Sequence, residues 1–308
     1  MSILYRSDAP RAAAWARYFA EYAPDLDFRV WPDAGNLDEV EYLIAWQAPA
    51  EFIAMLPGLK VFFSSGAGVD HVDFSALPEH VPIVRMVEPG IINGMVEYVS
   101  LAALALHRDF FDYVAAKAVR VWNPLEVPSA SARTIGVMGM GALGRAVLER
   151  LASYGFDLRG WNRSLREMDG VESFAGPDQL QPFLSGCDVL VCLLPLTPAT
   201  RGILNRELFS LLPVGTALVN VGRGPHLVDK DLLEALDTGQ LSRVILDVTD
   251  PEPLPAEHPF WAHPRIFLTP HVASMTQPES AAPILLENVR KHQRGEPLLD
   301  VIDRSRGY

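Results

Sequence analysis

Ile135-Gly136-Val137-Met138-Gly139-Met140-Gly141-Ala142-Leu143-Gly144 is the stretch on which the fold turns. Its first four residues read as a buried strand, and Leu143, Val147 and Leu151 then recur along one face of a helix. The G-x-G-x-x-G pattern of Gly139, Gly141 and Gly144 sits where strand passes into helix. Glycine permits the sharp turn and lets a pyrophosphate approach the backbone, while the helix N-terminus offers unpaired N–H groups and the positive end of its dipole. Alone, the pattern would often be a glycine-rich turn and nothing more. Here the helix runs out at Gly155, and a second apolar run, Phe156 to Trp161, completes a βαβ unit. In that setting the spacing predicts a dinucleotide cradle built from Gly139, Met140, Gly141, Ala142, Leu143 and Gly144.

The second strand of such a unit ends beside the adenosine ribose, where NAD-selective versions carry a carboxylate. This chain has Trp161-Asn162-Arg163-Ser164 there, and Asp157 lies at the strand's other end. A carboxylate would repel a 2′-phosphate, whereas a guanidinium and a hydroxyl attract it. Asn162, Arg163 and Ser164 are therefore expected to select NADP(H), with NAD(H) as the alternative.

Outward from this unit, apolar runs and helical patterns alternate along the chain. Before it stand Ile3 to Tyr5, Phe28 to Trp31, Tyr42 to Trp46, Lys60 to Phe63 and Ile83 to Arg85, the strands of a small parallel α/β unit with a helix over Arg11 to Tyr22. One long helix is expected from Asn93 to about Val121, as a connector. Asp188 to Leu194, Thr216 to Val221, Val244 to Val248 and Ile266 to Leu268 then join Thr134 to Met138 and Phe156 to Trp161 in a larger parallel sheet. A last helix is predicted over Pro278 to Arg294.

With 308 residues, 49% of them hydrophobic, the chain is long enough for two cores. A net charge of -12 argues against nucleic acid and anionic membranes as partners, since both demand clustered Lys and Arg. The most apolar stretch, around Leu101 to Leu106, is read as too short to span a bilayer. Met1 leads straight into Ile3-Leu4-Tyr5 without the marks of a secretory signal, so a cytoplasmic location is expected. Cys187 and Cys192 are odd-spaced, which points them to opposite faces of a strand and precludes pairing. No Cys or His cluster has ligand spacing, so no metal is expected.

Three further segments follow predicted strands: Asn220-Val221-Gly222-Arg223-Gly224, Leu246-Asp247-Val248-Thr249-Asp250-Pro251-Glu252-Pro253-Leu254-Pro255, and Thr269-Pro270-His271-Val272-Ala273. Their order and spacing resemble the D-isomer-specific 2-hydroxyacid dehydrogenase family, and the likeness runs along essentially the whole chain. It includes Gly66-Ala67-Gly68-Val69-Asp70 and the run from Leu194 and Pro195 to Gly202. Trp161 to Ser164, Ser173-Phe174-Ala175-Gly176, Glu257-His258-Pro259-Phe260-Trp261 and the Trp46 loop are most similar to the glyoxylate/hydroxypyruvate reductase A branch.

The resemblance implies an α/β fold of two doubly wound parallel-sheet domains. A Rossmann cofactor domain, residues 98–274, would be inserted into a smaller flavodoxin-like substrate domain, residues 1–97 and 275–308, with hinges near Glu97 and Ser274. It also implies a homodimer formed through the cofactor domain, and it lays Leu194, Pro195 and Val221 along the cofactor.

Reduction of a keto carbon by hydride leaves negative charge on its oxygen, which needs a proton donor and an electropositive clamp. By resemblance His271 is the acid/base, and Glu252 orients its ring and favours the imidazolium. Arg223 would fork onto the carboxylate of a small 2-oxoacid or 2-hydroxyacid. The backbone of Ala67 and Gly68 would cradle that carboxylate, Asp247 would accept from the nicotinamide carboxamide, and Trp46 would wall the pocket. The remaining seven histidines, His226 among them, read as surface or satisfied core residues. A different class, a non-catalytic dinucleotide sensor on the same scaffold, would have lost Arg223, Glu252 or His271; all three are present.

Overall fold

The computed structural model describes Met1–Gly307, and the chain divides into two compact units, Met1–Ile92 with Met275–Tyr308, and Asn93–Ser274. Both are α/β.

The first unit holds a five-stranded sheet of β1 (Ser2–Arg6), β2 (Asp27–Val30), β3 (Val40–Ala45), β4 (Val61–Ser64) and β5 (Ile83–Val84). All pairs are parallel and the order is β2-β1-β3-β4-β5, the flavodoxin-like winding. Ile3, Leu4, Val61, Phe62 and Phe63 are buried in unbroken runs because helices cover both faces of such a sheet. Helix α1 (Ala9–Tyr22) starts where the Asp8 side chain caps the Arg11 N–H and Pro10 occupies the first turn, and a short helix α2 (Ala50–Ile53) precedes β4. The C-terminal segment belongs to this unit: Val301 bridges Val84, and the Ile302 N–H bonds the Ile83 carbonyl. Arg304 secures it further by donating to the carbonyls of Phe74, Leu77, Pro78 and Val81.

The second unit carries seven parallel strands: β6 (Thr134–Met138), β7 (Asp157–Asn162), β8 (Glu172–Ala175), β9 (Val189–Cys192), β10 (Thr216–Asn220), β11 (Leu241–Leu246) and β12 (Ile266–Leu268). Their order, β12-β11-β10-β9-β6-β7-β8, is the doubly wound Rossmann arrangement, whose winding reverses between β6 and β9. Strand β8 overlaps the motif Ser173 to Gly176, a stretch the apolar pattern does not mark as a strand.

Two expectations need correction. The helix expected over 93–121 is two helices, α3 (Pro89–His107) and α4 (Phe110–Ala118). They break at Asp109, whose φ of 51° puts it in the left-handed region, which no helix continues. At 19 residues α3 is long and apolar enough by composition to cross a membrane, more so than the reading of Leu101 to Leu106 allowed. Yet Met95, Val99, Ala102, Ala103 and Leu106 join Ile135, Val137 and Val191 in one core cluster, the environment of a core helix. Second, Cys187 and Cys192 contribute to the same core cluster rather than to opposite faces. Cys187 precedes β9, so strand alternation does not reach it; a Cβ on Gly136 would come within 2.3 Å of its sulfur. Both are free thiols, and burial pushes each up to about 12.

Candidate active site

The phosphate loop leaves β6 beside the reversal of the second sheet, and its three glycines do different things. Gly139 has a φ of 106°, and a Cβ there would stand 2.6 Å from the Leu193 carbonyl oxygen. A Cβ on Gly144 would fall 1.9 Å from the Gly139 carbonyl oxygen, so helix α5 (Ala142–Ala152) could not seat against the turn. Nothing lies within 4 Å of a Cβ on Gly141. Gly141 is the N-cap of α5, and among the described residues no side chain caps that end, so the arrangement fits a pyrophosphate: backbone N–H donors, a positive dipole end and open space at the cap.

The loop after β7 is held from both sides. Trp161 donates its indole N–H to the Gly176 carbonyl, the Gly176 N–H bonds the Asn162 carbonyl, and the Asn162 amide bonds the Ser164 carbonyl. Arg163 and Ser164 are exposed on it. The sequence reading missed two companions. Arg166 reaches the Met140 carbonyl inside the phosphate loop, and Arg145 on α5 reaches the Glu167 carbonyl. The signal available was their density, since Arg163 and Arg166 stand three residues apart in an acidic chain. An Arg-rich loop beside a phosphate cradle suits a further phosphate.

Across the sheet reversal, β9 and β10 deliver Leu194, Pro195 and Val221, all buried or half-buried. Arg223 follows β10, with its guanidinium donating to the Gly222 carbonyl at 2.7 Å. A Cβ on Gly224 would lie 2.0 Å from the Thr249 carbonyl carbon and oxygen, so the Arg223 turn is packed on the loop that carries Glu252.

His271 and Glu252 meet directly: Nδ1 of the imidazole is 2.8 Å from Oε2 of the carboxylate. The other Glu252 oxygen accepts the Thr249 N–H at 3.1 Å. Burial alone would raise the Glu252 carboxyl, but the hydrogen bond from His271, the Thr249 N–H and the charges of His271 and Arg223 outweigh it, and the group sits below its ordinary value. It is therefore ionised at neutral pH and holds the Nδ1 edge of the ring, while Nε2 has no partner among the described residues. His271 has a φ of 55°, an uncommon backbone state for a side-chain-bearing residue that its surroundings must enforce.

Asp247 does the enforcing. It is 2% exposed; one oxygen accepts the Thr269 hydroxyl and the Val272 N–H, and the other accepts the Ala273 N–H at 2.9 Å. Its backbone carbonyl takes the His271 N–H. Tyr98 on α3 extends the network, its hydroxyl 2.5 Å from that of Thr269. Asp247, which the resemblance lays against the nicotinamide carboxamide, has both its oxygens engaged by the chain itself and keeps a lone pair for a further donor.

In the first unit, Trp46 lies flat on His71, ring centroids 3.6 Å apart and planes 9° apart, and Gly66 leaves room for it: a Cβ there would meet the indole at 2.6 Å. Ala67 and Gly68 are half-buried, and their N–H groups have no partner among the described residues. Among the described residues no group of three or more His, Cys, Asp or Glu side chains could hold a metal ion.

Residues 101–273 match the model of the family described as "D-isomer specific 2-hydroxyacid dehydrogenase, NAD binding domain". A glyoxylate/hydroxypyruvate reductase A of Yersinia enterocolitica is 38% identical over 314 residues, covering 100% of both chains. A D-isomer-specific 2-hydroxyacid dehydrogenase of Xanthobacter autotrophicus, solved with NADPH and MES, superposes with a TM-score of 0.94 at 36% identity over 100% of this chain and 99% of its own. An NADPH-dependent glyoxylate/hydroxypyruvate reductase of Sinorhizobium meliloti, solved with NADP and sulfate, gives 0.93 and 35% over 100% and 99%.

Proposed function

The chain belongs to the D-isomer-specific 2-hydroxyacid dehydrogenase family, and on that premise we propose that it reduces a small 2-oxoacid, glyoxylate or hydroxypyruvate, to the 2-hydroxyacid with NADPH. The observation that carries the reading is the 2.8 Å pairing of His271 with Glu252 in the unit that also holds Arg223 and the phosphate loop. The activity named for the Yersinia relative and the NADP or NADPH bound by the two solved structures support the choice of substrate and cofactor.

When bound, NADPH supplies the hydride that reduces the keto carbon. Gly139 to Gly144 hold its pyrophosphate, Leu194, Pro195 and Val221 line its path, and Arg163 with Ser164 takes the 2′-phosphate. His271 gives the proton on Nε2 to the substrate oxygen, and Glu252 keeps the ring oriented. Arg223 binds the substrate carboxylate through paired N–H donors and draws charge toward the adjacent carbonyl. Asp247 serves catalysis by holding the His271 turn.

The homodimer belongs to the same reading. Phe110, Val114, Val119 and Val121 are exposed around α4, and Trp122 is 98% exposed. An apolar patch of this kind suits a second copy of the chain. Light scattering should give a dimer that Trp122→Glu weakens; a monomer at assay concentration removes the dimer from the reading.

The deciding experiment is steady-state turnover of glyoxylate, hydroxypyruvate, pyruvate and a bulky 2-oxoacid, each with NADPH and with NADH. His271→Ala should lower kcat by about a hundredfold or more while NADPH binding persists. Unchanged turnover removes His271 from the mechanism. NADPH binding without turnover of any 2-oxoacid favours a sensor.

A further inference from the structure

His226 is wholly buried, in the short turn Gly224–His226 that follows Arg223. Its Nδ1 accepts the backbone N–H of Arg223 at 3.1 Å, so Nδ1 carries a lone pair and the ring proton sits on Nε2. Nε2 lies 3.3 Å from the Pro195 carbonyl oxygen, which accepts that proton. Only the neutral Nε2–H imidazole satisfies both partners. The Cys192 sulfur stands 3.9 Å from Nδ1, and Cys192 remains a thiol because burial pushes it up to about 12.

The packing agrees with the hydrogen bonds. A Cβ on Gly222 would come 3.0 Å from Nδ1, 3.1 Å from the adjoining ring carbon and 3.1 Å from the Leu194 carbonyl oxygen. Gly222 is thus the gap that lets the imidazole close against the backbone beside Arg223. Below it, the His226 carbonyl accepts the Leu204 N–H at 2.8 Å, which fixes the turn from the other side.

We propose that His226 is a positioning residue for the reaction: through one imidazole it ties the Arg223 backbone to the Leu194-Pro195 loop. The guanidinium that takes the substrate carboxylate and the loop that lines the cofactor are then held in one register. This rests on the assignment of Arg223 to the substrate carboxylate. A displacement of about 1 Å in such a group costs on the order of a hundredfold in rate. A histidine serves here because no other side chain accepts with one edge and donates with the opposite edge at this ring's width.

The test uses the full-length protein with NADPH and glyoxylate. His226→Phe keeps an aromatic ring and removes both bonds; it should raise the glyoxylate KM about 10- to 100-fold and lower kcat, with the NADPH Kd moving about threefold or less. His226→Asn restores an acceptor near the Nδ1 position and should recover most of the KM, a rescue that a residue serving stability alone would not show. In protein with 15N-labelled histidines, the His226 resonance, assigned by its loss in His226→Asn, should be that of a neutral Nε2–H tautomer. An unchanged KM and kcat in folded His226→Phe overturns the proposal, as does an Nδ1–H or imidazolium signal in the unaltered protein, a measurement that stands even where His226→Phe fails to fold. Arg223→Ala run in parallel separates the two assignments: an unchanged KM there overturns the role of Arg223 and this proposal with it, whereas a raised KM there beside an unchanged one in His226→Phe overturns only this proposal.

Discussion

Oε2 of Glu252 holds Nδ1 of His271 at 2.8 Å, in a pair whose side chains are 38% and 32% exposed. The carboxyl lies below its ordinary value of 4.5, so its stabilising contribution is complete above that value and fades as pH falls through the lowered one. Urea denaturation at pH 7 and below pH 4 should show the parent losing more stability on acidification than Glu252→Gln. About a third of each side chain is in water, so the difference should be about 1 kcal/mol or less. In turnover the same substitution should cost about 10- to 100-fold in kcat, since the ring loses the partner that orients it. Equal kcat in the two proteins would show that the pair is not used.

The phosphate loop separates folding from binding at two glycines three residues apart. Gly144→Ala drives a Cβ into the Gly139 carbonyl, and should cost about 1–3 kcal/mol or more in denaturant titrations as α5 is pushed off the turn. Gly141→Ala meets nothing within 4 Å, so its stability should stay within about 0.5 kcal/mol of the parent. It should nevertheless weaken NADPH, measured by fluorescence titration, because its methyl enters the space the pyrophosphate needs. Undiminished NADPH affinity in Gly141→Ala would place the dinucleotide elsewhere.

Arg163→Ala should weaken NADPH about 10- to 100-fold and leave NADH nearly unchanged, one charge-assisted contact being worth about 1.5–3 kcal/mol. Arg166→Ala tests a different geometry. Its guanidinium is bonded to the Met140 carbonyl, so its loss should disturb the phosphate loop and weaken both cofactors. Equal loss of NADPH and NADH in Arg163→Ala would remove the 2′-phosphate contact.

Much of this was legible because parallel sheets buried on both faces write their strands as apolar runs, and because Gly139, Gly141 and Gly144 are constrained by local sterics. Long-range hydrogen bonding was not legible. Asp109 breaks α3 from α4 through a backbone angle that the apolar pattern across it does not encode. His226 looked like any core histidine, since its partners Pro195 and Arg223 come together only when β9 and β10 lie side by side. Arg166 was passed over for the same reason, its partner Met140 lying 26 residues back.

Asp247 carries the last prediction, because its two oxygens accept three donors from the segment around His271. An amide in its place keeps one acceptor oxygen and turns an NH2 toward either the Ala273 N–H or the Val272 N–H and Thr269 hydroxyl. Buried donors would then face a donor, and Asp247→Asn should destabilise the protein by about 2–4 kcal/mol. Tyr98→Phe removes only the outermost hydroxyl, leaves the Thr269 bond to Asp247 standing, and should cost about 1 kcal/mol. If the network exists to hold the positive φ of His271, kcat should fall in the same order, Asp247→Asn well below Tyr98→Phe, with the NADPH Kd of Tyr98→Phe unchanged. A Tyr98→Phe enzyme that loses stability but keeps full kcat at every substrate concentration would confine Tyr98 to the core and leave the His271 turn to Asp247 alone.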